Sequence, residues 1–277
     1  MPRVPLLRVT PRGLPVAAMT RAMEGDLGLS FDSESVRSTY DAWGDVVDNG
    51  GDVNKSVYAK TVRDWGYECP EHATQILVRA LSTGAIPKSD HANGLRILDV
   101  GCADGLQAES LCKAGVLREG DENQLDGMDL SPKLLQRARE SGKYKNLYCD
   151  DLNRCDWLGE DVSQCDVATA PYEDDHFHVT FCVGVLTYVD PDAYLECDEF
   201  KKVPRRNLLR ELSRITQNLV IFTCRTDMCS KWEEIADAME KEGTWQTFER
   251  KKVPYLPGNK SYHEKGVEAN LYAYVVS

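Results

Sequence analysis

From residue 30 to residue 81 the apolar positions recur at helical spacing: Tyr40, Trp43 and Val47, then Ala73, Ile76, Leu77, Ala80 and Leu81 beyond Pro70, a residue suited to a helix's first turn. This predicts a helical lead-in. Residues 82–94 are polar and punctuated by Gly84, Pro87 and Gly94, and read as a loop. Short apolar runs then alternate with helical stretches. Strands are predicted at 95–100, 125–130, 147–149, 179–186 and 219–224, and helices at 106–114, 132–140, 207–215 and 230–241. Alternation of this kind predicts a parallel sheet with helices on both faces. The end differs. Residues 245–253 and 271–276 are strand-like runs separated by a loop bearing Gly, Pro and Asn, which predicts an antiparallel pair closing one sheet edge.

The first strand runs into ILDVGCADG, from Ile97 to Gly105. A dinucleotide turn of the form G-x-G-x-x-G would place its third glycine five residues after the first, where this chain has Leu106. The turn is instead Gly101, Cys102, Ala103, Asp104, Gly105. Asp99, two residues upstream, would repel a pyrophosphate and favours a ligand carrying positive charge. S-adenosylmethionine has an ammonium and a sulfonium, and a carboxylate that backbone N–H groups at a helix N-terminus can hold.

The next strands extend this reading. In QLDGMDLSP, Asp129 stands at the C-terminal edge of the second strand, with Leu130 beside it, where a carboxylate can accept both ribose hydroxyls. A helix-capping role for Asp129 is the alternative, but Ser131 already supplies that cap. In LYCDDLN, Asp151 can take the adenine amino group and the Leu152 N–H a ring nitrogen, with Asp150 as a substitute and a solvated acidic pair as the plain alternative. VTFCVGVL brings Val183 and Gly184, small enough for a ligand to lie against the backbone; a buried strand with a bulge would look the same.

Together, in this order, these segments resemble a class I S-adenosylmethionine-dependent methyltransferase from about Ser38 onward. Within that class the chain is similar to the small methyltransferase group that includes the protein encoded in the Williams–Beuren syndrome region. The similarity is carried by YDAWGDVVD from Tyr40, WGYECP from Trp65, GMDLSPKLLQRARESGKY from Gly127, VGVLTYV from Val183, FTCRTD from Phe222 and VPYLPG from Val253. The resemblance implies a Rossmann-like fold, a mostly parallel seven-stranded sheet with an antiparallel C-terminal pair and a helical N-terminal cap. It also implies that Tyr40, Trp43 and Tyr67 cover the cofactor, whose methionine end sits over Asp99 and Gly101. Two departures stand out: Ala103 replaces a usual glycine, and the lysine-proline-glycine-glycine turn before the fifth strand is missing around residues 216–218.

Composition narrows the partners. With 33 basic against 45 acidic residues the formal charge is -12, which opposes a nucleic-acid backbone. The basic runs 201–206 and 250–252 read as solvated faces. The ten cysteines contain no C-x-x-C pair, so zinc and dithiol motifs are disfavoured, and Cys149, Cys182 and Cys224 sit in apolar runs as buried free thiols of a reducing compartment. No run is long enough to span a membrane, so a soluble protein is expected. Residues 1–29 form a basic leader with Arg3, Arg8, Arg12 and Arg21 and no acid before Glu24. Its prolines and lack of serine before Ser30 favour a disordered tail on a cytoplasmic protein over an organelle transit peptide. A single domain is expected over 30–277, with 30–94 as lead-in and cap and 95–277 as core.

Methyl transfer asks for alignment and, for a hydroxyl or protonated amine, a base. None is evident. His176 and His178 precede the fourth strand and are expected in solvent, and His263 lies in the last loop. Tyr188, directly after the fourth strand, is a candidate substrate contact, with Tyr255 a weaker one. Arg225 ends the fifth strand, where its guanidinium can hold a substrate carboxylate or pair with Asp227 or Asp190. A thioether has no proton to lose, so the missing base and Arg225 together fit S-methylation of a small sulfur-containing acid, as in dimethylsulfoniopropionate synthesis. N- or O-methylation of another metabolite, or non-catalytic cofactor binding, are the alternatives.

Overall fold

The computed structural model describes residues 33–44, 56–153, 172–191 and 207–277. The basic leader, the run 201–206 and Val47 lie outside these residues. The predicted lead-in is three helices: α1 (Ser33–Trp43), α2 (Val57–Asp64) and α3 (Cys69–Thr83). Ser56 caps α2 by accepting the Ala59 N–H at 3.0 Å, Pro70 sits in the first turn of α3, and Gly84 ends α3 with φ +79°.

The core follows as β1 (Arg96–Val100), α4 (Leu106–Lys113), β2 (Gln124–Asp129), α5 (Pro132–Glu140), β3 (Asn146–Cys149), β4 (Phe177–Cys182), α6 (Leu208–Ile215), β5 (Thr216–Arg225), α7 (Ser230–Lys241), β6 (Trp245–Pro254), α8 (Lys260–Glu264) and β7 (Glu268–Val276). The seven strands stand in the order β3-β2-β1-β4-β5-β7-β6. β1 to β5 are parallel, and β7 runs antiparallel to both β5 and β6. The predicted edge pair is present. Chain order reverses between β1 and β4, which opens a crevice at the C-terminal ends of those strands.

Alternation along the strands divides the core. Leu98, Val220 and Phe222 pack toward α6 and α7 with Leu209 and Trp232, whereas Ile97, Phe181, Leu219 and Ile221 pack toward α3 and α4 with Ile76 and Leu111. Both faces of the central strands are buried, so their sequences read as continuous apolar runs. No helix among the described residues is long and apolar enough to cross a membrane.

Three local expectations need correction. The run 179–186 is not all strand: β4 ends at Cys182, because Gly184 turns the chain at φ +81° and its N–H goes to Thr223 Oγ1 at 2.8 Å instead of continuing the ladder. A single 3-10 turn, Leu186–Tyr188, follows. At the other end β4 starts at Phe177, so His178 is a strand residue, 1% exposed, and its Nδ1 accepts the Arg96 N–H at 2.8 Å. Burial holds its imidazole below the usual histidine range. The missing turn before the fifth strand is a direct helix-to-strand junction. β5 begins at Thr216, whose hydroxyl donates to Leu212 O at 2.6 Å and lies 2.6 Å from Thr180 Oγ1.

Candidate active site

The turn after β1 is strained and self-contained. Gly101, Ala103 and Gly105 have φ of +70°, +48° and +105°. The left-handed region costs an alanine about 1 kcal/mol, so Ala103 is tolerated rather than favoured. A Cβ built on Gly101 would overlap Val185 Cγ2. The turn's amides, expected to hold a ligand carboxylate, are engaged inside the protein. Gly101 and Cys102 N–H donate to Met128 O at 2.8 and 2.9 Å, Ala103 N–H to Asp129 Oδ2 at 2.9 Å, and Gly105 N–H to Cys102 O at 3.0 Å. The turn offers space, not those donors.

Above it lies a cavity open to solvent on one side. Each of the first four strands delivers residues to its wall: Gly101 and Ala103 after β1, Asp129 and Leu130 after β2, Asp151 and Leu152 after β3, Val183 and Gly184 after β4. Tyr40 of α1, Tyr58 of α2 and Tyr188 also line it. Asp129 Oδ1 accepts the Ser131 N–H at 2.8 Å, so each carboxylate oxygen already holds one amide and keeps a lone pair for a ligand hydroxyl. Burial pushes this carboxyl up to about 6. Asp150 shares the wall with Asp151, and its Oδ1 accepts the Asp151 N–H at 2.8 Å.

Five predicted contacts stand back from this cavity, among them Tyr67, which lines only the neighbouring chamber. Asp99 is 2% exposed beneath the turn and accepts a hydrogen bond from Tyr144 Oη at 2.7 Å; burial pushes its carboxyl up to about 7. Cys102 packs downward with Leu135 and Cys149. Gly105 faces the Tyr144 ring, 3.3 Å from a built Cβ. Trp43 backs Tyr40 and Tyr58, with ring centroids 5.4 and 6.1 Å away.

A second, smaller chamber adjoins the first. Tyr40, Tyr58, Gly184 and Tyr188 form the wall common to both, and Tyr67, Tyr255 and Tyr262 close the far side. Tyr67 Oη lies against the bare Cα of Gly184. Sequence reasoning missed Tyr58 and Tyr262, whose only signal is the tyrosine content of the lead-in and the last loop. Burial pushes the phenols of Tyr40, Tyr58, Tyr67 and Tyr255 well above their ordinary range. His263 is exposed on α8 and lines neither space.

Arg225 also lines neither space. Its guanidinium makes a bidentate pair with Asp227, Nε to Oδ1 at 3.0 Å and Nη2 to Oδ2 at 2.6 Å, and its Cζ lies 4.8 Å from the Tyr262 ring centroid and 5.8 Å from that of Tyr255. Of the two roles open from sequence, this is the geometry of the salt bridge.

Residues 97–207 match the family model of a methyltransferase domain. The ubiquinone biosynthesis O-methyltransferase of Pasteurella multocida (strain Pm70) is 30% identical over 115 residues, which cover 39% of this chain and 43% of that protein. The chain thus aligns with less than half the length of that curated relative. Among solved structures, the magnesium protoporphyrin IX methyltransferase of Synechocystis PCC 6803, with bound S-adenosylmethionine, aligns with a TM-score of 0.48 at 14% identity, over 89% of this chain and 97% of that one. A Listeria monocytogenes protein assigned to the class I S-adenosylmethionine-dependent methyltransferases aligns with a TM-score of 0.45 at 12% identity, over 74% of this chain and 59% of that one. The matched residues, 97–207, fall within the Rossmann-like sheet described above and resemble a methyltransferase domain.

The residues present fit S-adenosylmethionine. Gly101 and Gly184 bring bare backbone to the cavity wall, and Asp129 presents free lone pairs at the edge of β2.

Proposed function

We propose that this protein transfers a methyl group from S-adenosylmethionine to a small molecule. The observation that carries the proposal is the shared wall: a cavity with carboxylates at the ends of β2 and β3 meets, at Gly184, a separate chamber able to hold an acceptor. In this reading Asp129 holds the ribose, Asp151 or Asp150 the adenine amino group, and Gly101 and Gly184 form part of the wall the cofactor lies against. S-adenosylmethionine, when bound, supplies a methyl group on an electron-poor sulfonium. The chain's own contribution is alignment and exclusion of water by the tyrosine walls. A small acceptor is preferred over nucleic acid because the net charge is -12 and the chamber is narrow.

The finer assignment places the chain with the Williams–Beuren-region group, on the motifs from Tyr40, Gly127 and Val183. S-methylation of a sulfur acid divides into two demands. A sulfur acceptor suits a chamber without a base, whereas the acid would have to compete with Asp227 for Arg225. The test is to incubate the protein with methyl-labelled S-adenosylmethionine and a fractionated small-molecule extract, and to identify the labelled product by mass spectrometry. Label in a metabolite fraction is the expected result. Calorimetry showing NAD bound and neither S-adenosylmethionine nor S-adenosylhomocysteine bound overturns the reading.

A further inference from the structure

Six of the chain's 12 tyrosines, Tyr40, Tyr58, Tyr67, Tyr188, Tyr255 and Tyr262, meet in the acceptor-side chamber. The rest of its described lining is Val62, Gly184 and Leu256. No aspartate, glutamate, histidine, lysine or arginine is among them. The rings are set mostly edge to face, Tyr40 against Tyr188 at 85°, Tyr67 against Tyr255 at 87° and Tyr255 against Tyr262 at 77°, so the cluster presents several ring orientations around one small volume.

Such a lining constrains the chemistry. An alcohol or protonated amine must shed a proton before or during attack, and the described lining offers no group to take it, since the buried phenols hold their own protons; a carboxylate arrives ionised but meets no cation in that lining. Ring faces stabilise a cation that has no hydrogen-bond donor of its own, the task for which aromatic cages are suited. The wall already supports one cation: Arg225 rests on Tyr262 and Tyr255 from outside, its charge balanced by Asp227.

We infer that the chamber takes a neutral acceptor with a free lone pair, a tertiary amine or a thioether, and holds the onium cation formed from it. The inference rests on the methyl-transfer reading above. The acceptor's lone pair forms the new bond to the methyl carbon. The bond from that carbon to the sulfonium breaks with its electron pair left on sulfur, the positive charge passes to the acceptor, and no proton moves. Charge appearing on the acceptor atom is what the rings stabilise.

Calorimetry with the protein saturated in S-adenosylhomocysteine tests this with two matched pairs. Choline is set against its neutral isostere 3,3-dimethylbutan-1-ol, and (2-hydroxyethyl)dimethylsulfonium against 3-methylbutan-1-ol. Each cation should bind roughly tenfold tighter than its isostere, and whichever pair shows the larger ratio separates a nitrogen from a sulfur acceptor. Tyr188→Leu should erase most of that ratio and Tyr188→Phe should keep it, with S-adenosylhomocysteine affinity still measurable in both. Equal binding within both pairs, or no binding of any probe, overturns the inference while leaving methyl transfer intact. Failure of S-adenosylhomocysteine itself to bind overturns the methyl-transfer reading and the inference with it.

Discussion

The two compartments that meet at Gly184 are built on opposite principles. One is acidic, with Asp129, Asp150 and Asp151 in its wall and Asp99 beneath; the other has no charged group among its described lining residues and is walled by phenol rings. The acidic side draws its residues from positions directly after consecutive strands, so its shape follows from the sheet. The aromatic side gathers residues from α1, α2, the turns after α2 and β4, and the segment from β6 to α8. Under the proposed function, recognition by fixed hydrogen bonds falls to the first and accommodation of the acceptor to the second.

The comparison breaks first at Asp129. Asp129→Ala should weaken S-adenosylhomocysteine binding by about 1.5 to 3 kcal/mol, and should lower the melting temperature as well, because the Ala103 and Ser131 amides lose their acceptor. Titration calorimetry and a thermal melt read both effects. Full affinity in a folded variant would remove Asp129 from the site.

A smaller, pH-dependent effect is expected at Asp99. Its carboxyl sits at about 7 in the folded protein, against about 3.9 unfolded. The folded state therefore keeps a proton that the unfolded state has lost, and ligand-free stability falls as pH rises from about 4 through 7. A cation bound above it favours the ionised form. Affinity for S-adenosylmethionine relative to S-adenosylhomocysteine should thus rise several-fold between pH 6 and 8, and the ratio should be flat in Asp99→Asn. A flat ratio in the unmodified protein would mean that Tyr144 shields the carboxylate from the sulfonium.

The smallest effect is expected at Ala103. Ala103→Gly relieves a left-handed alanine but adds freedom to the unfolded chain, two terms of about 0.5 to 1 kcal/mol that nearly cancel. A melt shifted by more than a few degrees downward would show that the methyl group packs against something the turn needs.

The acidic compartment was legible because spacing after a strand is local information. What spacing does not carry is direction. Asp99, Cys102 and Gly105 stand in the right neighbourhood, yet their neighbours Gly101 and Ala103 face the cavity while they face Tyr144 and the core. His178 was misjudged because β4 starts at Phe177, one residue before it, which turns an expected surface residue into a core one. The tyrosine chamber was legible in part. Tyr40, Tyr67, Tyr188 and Tyr255 were singled out from sequence, but Tyr58 and Tyr262 join them only through tertiary packing, which no local pattern marks. At Arg225 both readings were open, and a carboxylate two residues away fills the guanidinium fork in the folded chain.

The uninterrupted passage from α6 into β5 has a mechanical meaning. Because helix becomes strand at Thr216 with no connecting residues, the chain has no slack there, and Thr223, seven residues on, fixes Gly184 through its hydroxyl. One residue inserted between Ile215 and Thr216 would turn every later side chain of the strand to the opposite face and carry the Thr223 hydroxyl away from the partition between the two compartments. The same insertion between Lys88 and Ser89 falls in an exposed loop instead. The partition is thus gauged by chain length at a point that touches neither ligand, and libraries of inserted variants should tolerate the second position and empty out at the first.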